Sequence, residues 1–285
     1  MKSRFFKLPF GGGRLALSAG PGQYGLSYES ARDAAAERLG GLFFGSNLSA
    51  ELIHNGKSQG RQDLGSGLVT NVGVLALAND YAWAGVSGAP VNLFSLLKNH
   101  SSGTGATAAA TTDIILQTPI TTIATPVVAG TQVLVNAANL QKFQSVATIT
   151  YDASGPYAVT EWGFFNGNTL SVTTGTPFTA VTATTGTVTA TPYTASSTTI
   201  RGQQQNIVRA GTTDAYGLVL SNTTAQFTFP AWYKATDGTV ATTPGNTEAL
   251  TIRPVMWDHK VFSAINVSNG DSIQFTYTLT MTSGG

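Results

Sequence analysis

Ile273-Gln-Phe-Thr-Tyr-Thr-Leu-Thr-Met-Thr282 is the stretch that decides the fold. Apolar Ile273, Phe275, Tyr277, Leu279 and Met281 alternate with Gln274, Thr276, Thr278, Thr280 and Thr282. A period of two is that of a β-strand with one face on a core and the other rich in hydroxyls. Asn269-Gly270-Asp271 just before it reads as a hairpin turn, with Val261–Val267 as the strand leading in. Further upstream, Val146–Tyr151 is β-branched and aromatic, and Ala158–Phe165 follows a turn at Ser154-Gly-Pro156. Tyr216–Leu220, Ala225–Phe229 and Ala249–Arg253 are shorter strands. Short strands separated by turns, with no βαβ rhythm, predict a mainly β protein with an antiparallel β-sandwich or jelly-roll-like core.

The first part of the chain has a different texture. Residues 1–112 predict an extended, partly helical arm. Ser27 caps a helix over Tyr28–Leu39, which contains Ala31, Ala34, Ala35 and Ala36 and stops at Gly40-Gly41. Residues 45–67 read as loops punctuated by Gly and Asn. Val72–Trp83 predicts a second helix, Val91–Leu97 is an apolar cluster, and the Ala/Thr run 104–112 is a linker or extended strand. Val172–Ile200 contains 13 threonines and reads as strands with loose tips, because Thr suits a half-exposed pleated surface.

Composition narrows the function. Only 10% of the 285 residues are charged, against about 25% in an average soluble protein. The polar surface must therefore be built from Thr, Ser, Asn, Gln and Gly. Such groups pair across a neighbouring surface at less desolvation cost than buried charge. A net charge of +1 supplies no global field for nucleic acid or anionic lipid, so neither partner is expected. Locally, Lys2, Arg4, Lys7 and Arg14 lie in the first fourteen residues with no acid among them, and are candidate contacts for an acidic partner. There is no cysteine, which excludes disulfides and thiolate metal sites. The Phe5–Pro9 and Gly11–Gly13 segments do not make a signal peptide, and no apolar run reaches the ~20 residues that span a bilayer.

Catalytic and cofactor signals are weak. Gly20-Pro-Gly-Gln-Tyr-Gly25 fits G-x-G-x-x-G, but the strand and βαβ unit the dinucleotide fingerprint requires are missing. His54, His100 and His259 lack metal-ligand spacing, and no G-x-S-x-G elbow occurs. The expectation is no enzyme, no cofactor and no metal. Glu161, beside Trp162 in a predicted strand, is either exposed or paired, with Arg253 or Lys260 as partner. Trp83, Trp162, Trp232 and Trp257 read mainly as core, and Trp232-Tyr233 is the candidate patch for a surface glycan.

Several blocks of this sequence carry a resemblance. They are His100-Ser-Ser-Gly-Thr-Gly105 with Leu116-Gln-Thr-Pro119, then Val146-Ala-Thr-Ile149, and Val159-Thr-Glu-Trp-Gly-Phe164. The C-terminal block joins Trp257-Asp258, Val261-Phe-Ser263 and Ile265-Asn-Val267 to Gly270-Asp-Ser-Ile-Gln-Phe-Thr-Tyr-Thr-Leu-Thr280. Together they resemble structural proteins of tailed-bacteriophage virions, of the head-decoration (cement) or tail-associated kind. Thr160-Glu-Trp-Gly163 is also similar to a strand of tail-collar and fibre-associated modules. The resemblance covers about half the chain. It implies a virion location, the major capsid protein as partner, and a homo-oligomer, with a trimer favoured. A tail, neck or baseplate part and a carbohydrate-binding receptor module are the alternatives. This chain departs from the pattern by separating the Glu-Trp-Gly strand from the Trp-Asp block by about ninety residues. The domain reading is therefore an arm at 1–112, a sandwich core at 113–167 plus 257–285, and an inserted Thr-rich subdomain at 168–256.

Overall fold

The computed structural model describes residues 6–7, 14–15, 42–81, 96–137, 140–168, 170, 172–188, 206–210, 215–219, 221–222, 226–229, 231–234, 236, 239–245 and 249–283. The helix expected at Tyr28–Leu39, the Gly20–Gly25 motif, Lys2 and Arg4 lie outside these residues. The protein is mainly β. Strands are numbered in chain order.

One sheet is built from β3 (Leu42–His54), β4 (Lys57–Gly65), β8 (Thr131–Ala137), β9 (Leu140–Tyr151) and β20 (Asp271–Ser283), in the order β4-β3-β20-β9-β8. A second is built from β5 (Leu68–Val69), β6 (Asn99–Gly103), β7 (Val127–Ala129), β10 (Tyr157–Phe165) and β19 (Met256–Val267), in the order β5-β19-β10-β6-β7. All their pairings are antiparallel. The first long strand, β3, lies beside the last, β20, which closes the sandwich as in a jelly roll.

The period-two stretch is the middle of β20, paired over twelve residues with β3 on one side and with β9 on the other. Ile273, Phe275, Tyr277 and Leu279 are buried, as their alternation requires. Phe164 and Trp162 of β10 meet Tyr277 from the opposite sheet, with ring centroids 4.5 and 5.3 Å away. Aromatic and aliphatic side chains removed from water this way each contribute roughly 1.5–3 kcal/mol. They are the main adhesive between the sheets.

The helix expected at Val72–Trp83 is present as α1 (Asn71–Tyr81). Thr70 is its cap: the hydroxyl accepts the Gly73 N–H at 3.0 Å and donates to the Met256 carbonyl. A Cβ on Gly73 would lie 3.1 Å from the Trp257 backbone, so glycine lets the helix start against β19.

Two sequence expectations are corrected. Residues 45–67 are not loops but most of the β3–β4 hairpin. Asn55 and Gly56 form its two-residue turn with φ of +50° and +73°, the left-handed pair that suits a tight hairpin. β4 is an edge strand exposed along most of its length, so it carries no hydropathy alternation to betray it. With β6 it also moves part of the predicted arm into the sandwich. The Asn269-Gly270-Asp271 turn, by contrast, is not a hairpin. Gly270 has φ +91°, but β19 and β20 belong to opposite sheets, so the turn is an arch across the core. Alternating apolar residues on both flanking strands fit either geometry.

The third sheet comes wholly from the segment between β10 and β19. It contains β11 (Val172–Val181), β12 (Thr185–Val188), β13 (Asn206–Ala210), β14 (Ala215–Leu218), β15 (Ser221–Asn222), β16 (Gln226–Thr228), β17 (Trp232–Lys234) and β18 (Ala249–Pro254). Ala215, Val219, Phe178, Phe227, Phe229, Trp232 and Ile252 form a small core of its own. Tyr216 and Leu218, on the other face of β14, join the sandwich core. Among the described residues, β1 (Phe6–Lys7) and β2 (Arg14–Leu15) pair only with each other.

Candidate functional site

Glu161, Asp258, His259 and His100, all fully buried, stand together on the second sheet. β10 and β19 are its central strands, and both have a run of residues buried on both faces, Glu161–Phe165 and Met256–His259. The outer face is covered by the segment 104–118. Leu116 from this strap packs on Phe165 and Met256, which are opposite each other in register.

Glu161 is the anchor of the strap. Its Oε1 accepts the N–H groups of Gly105 at 3.0 Å and Thr118 at 2.7 Å, and its Oε2 accepts that of Gln117 at 2.9 Å. Ser102-Gly-Thr-Gly105 must be glycine-rich for this contact. A Cβ on Gly103 would lie 2.2 Å from Glu161 Oε1, and one on Gly105 2.8 Å from the carboxyl carbon. His259 Nε2 lies 3.2 Å from Glu161 Oε2, and its Nδ1 lies 2.7 Å from Asp113 Oδ2. Asp113 in turn accepts the Ala110 N–H at 2.7 Å.

The electrostatics follow from this geometry. Burial pushes the Glu161 carboxyl up, but His259 and the N–H groups of Thr118, Gln117 and Gly105 outweigh it and hold the group below the usual range. Burial pushes His259 down, but the Glu161 and Asp113 carboxylates outweigh it and raise the imidazole above its ordinary value. The result is an imidazolium held between two carboxylates. Both ring nitrogens are engaged and the ring is buried, so no nitrogen is left to exchange a proton with a substrate. The arrangement can brace a loop. Glu161 therefore pairs with neither expected partner: Lys260 donates to the Ser66 carbonyl at 2.7 Å, and Arg253 lies in β18.

A second buried group faces the opposite way. The register of β10 and β19 shifts between Phe164 and Phe165, leaving Trp257 without a partner on β10. Trp257 and Asp258 consequently both reach Tyr277: the indole donates to the phenol oxygen at 3.0 Å, and the phenol donates to Asp258 Oδ2 at 3.0 Å. Burial raises the Asp258 carboxyl to about 6, against hydrogen bonds from Ser46, Tyr277 and Leu68. A Cβ on Gly67 would collide with this carboxylate.

A third buried group, centred on His100, is neutral. Trp162 donates its indole N–H to His100 Nδ1 at 3.1 Å, so the ring proton sits on Nε2 and is donated to Ser145 Oγ at 2.8 Å. Burial holds His100 at about 3. His54 ties the β3–β4 turn to the β19–β20 arch through Asp271, at 2.6 Å. Among the described residues no cluster of His, Asp and Glu has metal-binding geometry.

The other expected site residues are dispersed. Lys7 and Arg14 are opposite each other in the β1–β2 pair, bringing two cationic positions together. Trp232 is 1% exposed, packs on Phe178 and Phe229, and donates its indole N–H to the Thr182 carbonyl at 2.9 Å. A ring buried this way has no free face for a sugar. Tyr233 is half-buried, 6.1 Å from Tyr216. Comparison with protein families, with curated proteins and with solved structures returns no match for this chain.

Sequence reasoning missed two features. Asp113 as a partner of His259 had no local signal, since 146 residues separate them. The uncharged run Gln132-Val-Leu-Val135 had one, three adjacent aliphatics in β8 with neither strand nor helix periodicity.

Proposed function

We propose that the chain is a structural protein of a tailed-phage virion, and specifically a head-decoration protein that sits on the major capsid protein and braces the shell. The observation that carries this reading is the outward face of the first sheet. Gln274, Thr276, Thr278 and Thr280 of β20 are flanked there by Thr148 and Gln144 of β9 and by Ser49 and Asn47 of β3. The hydroxyls and amides already bond laterally, Gln144 to Thr278 at 3.2 Å and Thr150 to Ser272 at 2.9 Å. This hydroxyl and amide patch, bordered by Glu51 of β3, Lys142 of β9 and Arg61 and Asp63 of β4, can be laid against another protein surface at less desolvation cost than a charged patch of the same size. Many weak copies of one contact then hold tightly through multivalency.

A further support is where the phage-like blocks fall. Val146–Ile149, Val159–Phe164, Trp257–Val267 and Gly270–Thr280 supply strands of the sandwich, and the Ser102–Gly105 and Leu116–Pro119 blocks both grip Glu161. They are parts of one construction.

The test is copy number in purified particles, by quantitative mass spectrometry against the major capsid protein. The decoration role gives a ratio near one to one. A few copies per hundred would place the chain in the tail, neck or baseplate, and absence from particles would overturn the virion reading.

A further inference from the structure

The edges of the sheets are treated unequally. β5 and β7, at the edges of the second sheet, have two and three residues, and β15 and β17 of the third sheet have two and three. Edges that short offer little to a passing strand. β4 is long but carries Lys57, Arg61 and Asp63, positive-φ glycines at Gly60 and Gly65, and two register shifts against β3. Charge and bulges on an edge discourage pairing with another chain.

β8 has none of these protections. Its seven residues are uncharged, contain no proline, and pair with β9 in unbroken register from Thr131↔Val146 to Ala137↔Leu140. No described segment pairs with its other edge. Val133, Leu134 and Val135 are 48, 61 and 37% exposed, three of the five large apolar side chains left open among the described residues. Exposure falls on both faces of the strand: Leu134 shares the inward face with its partner Phe143, while Val133 and Val135 point outward.

The sequence of β8 also matches itself when reversed. An antiparallel copy centred on Leu134 sets Leu134 against Leu134, Val133 against Val135, and position 132 against position 136, Gln against Asn. Apolar meets apolar, amide meets amide, and no charge is buried. We propose that β8 is a two-fold interface, pairing with β8 of a second copy of this chain to join two five-stranded sheets into one continuous sheet. The contact is isologous and closes at two copies. It differs from the trimer that the phage resemblance implies, and it does not depend on the virion reading.

The full chain contains no cysteine, so Leu134→Cys introduces its only thiol. Across the two-fold the paired Cα atoms stand ~4.5–5.5 Å apart, within disulfide reach. Mild oxidation of this variant is expected to give a covalent dimer. Val133→Cys alone gives much less, whereas a mixture of Val133→Cys and Val135→Cys chains restores it. Gln59→Cys on β4 serves as the collision control. In sedimentation the unaltered chain is expected at twice 29.5 kDa, and Leu134→Lys, at an exposed position, weakens the dimer at least tenfold while the unfolding temperature of the protomer holds. A monomer throughout the micromolar range, an oligomer indifferent to Leu134→Lys, or equal cross-linking at positions 59 and 134 would each overturn the proposal.

Discussion

Asp258 puts a carboxyl group between two sheets where water does not reach, and the consequence is a pH dependence with a definite sign. Its folded pKa of about 6 lies above the ordinary carboxylate value of 3.8. The stability of the neutral form is therefore fully present below the unfolded value and is lost as pH rises through about 6. At ~1.4 kcal/mol per pH unit, ionising the buried group costs on the order of 3 kcal/mol. Asp258→Asn removes the ionisation and keeps an oxygen for the Tyr277 hydroxyl. Denaturant unfolding at pH 4 and pH 8 is expected to show the native chain losing roughly 2–3 kcal/mol relative to Asp258→Asn across that interval. An unchanged difference would mean that this carboxyl ionises as it does in water. Nothing in Trp257-Asp258-His259 announces such a site. Its burial depends on the skipped pairing at Trp257, a register detail that residue types do not encode.

The strap 104–118 is an element without helix or strand, and it is held by side-chain chemistry. His259 contributes stability that is present below its ordinary value of 6.5 and lost as pH rises through its raised one. Glu161 contributes stability that is present above its ordinary value of 4.5 and lost as pH falls through its lowered one. The brace is thus strongest in the mildly acidic window between the two ordinary values, 4.5 and 6.5. Glu161→Ala leaves three N–H groups and an imidazolium without their acceptor, and is expected to cost ~3–5 kcal/mol. Amide exchange at Gly105, Gln117 and Thr118 should rise well before that of β20, and equal protection in the variant would dismiss the anchor role. Elements were legible where periodicity was strong. β20 was read from its alternation, and β9, β10, β18 and α1 from composition and flanking turns. β4 was not, because an edge strand facing water on both sides has no pattern to read. The Glu161 brace was not, because its parts are brought together only by the fold.

At the scale of the whole molecule, the segment between Asn166 and Val255 is a closed excursion. It leaves and re-enters the sandwich at the paired positions Phe165 and Met256, and its neck is clamped by two hydrogen bonds, Asn166 N–H to the Val255 carbonyl at 3.2 Å and Val255 N–H to Asn166 Oδ1 at 2.8 Å. Replacing residues 168–254 with a short Gly/Asn turn is expected to leave the two five-stranded sheets folded, with a native-like far-UV spectrum in the sandwich region. The unfolding temperature should fall by several degrees, because Tyr216 and Leu218 no longer cover part of the main core. Loss of cooperative unfolding in the excised chain would mean that the third sheet is integral to the sandwich.

The same neck governs how the protein carries a mechanical load. Tension applied to the third sheet enters the sandwich through Asn166 and Val255 together and runs lengthwise into β10 and β19. These are the central strands of their sheet, flanked by β6 on one side and β5 on the other. Traction along a strand strains its ladder bonds in parallel, so they must fail together; peeling from one end would break them singly. The third sheet is therefore fastened like a post set between planks, along the grain, where the fabric resists pulling most strongly.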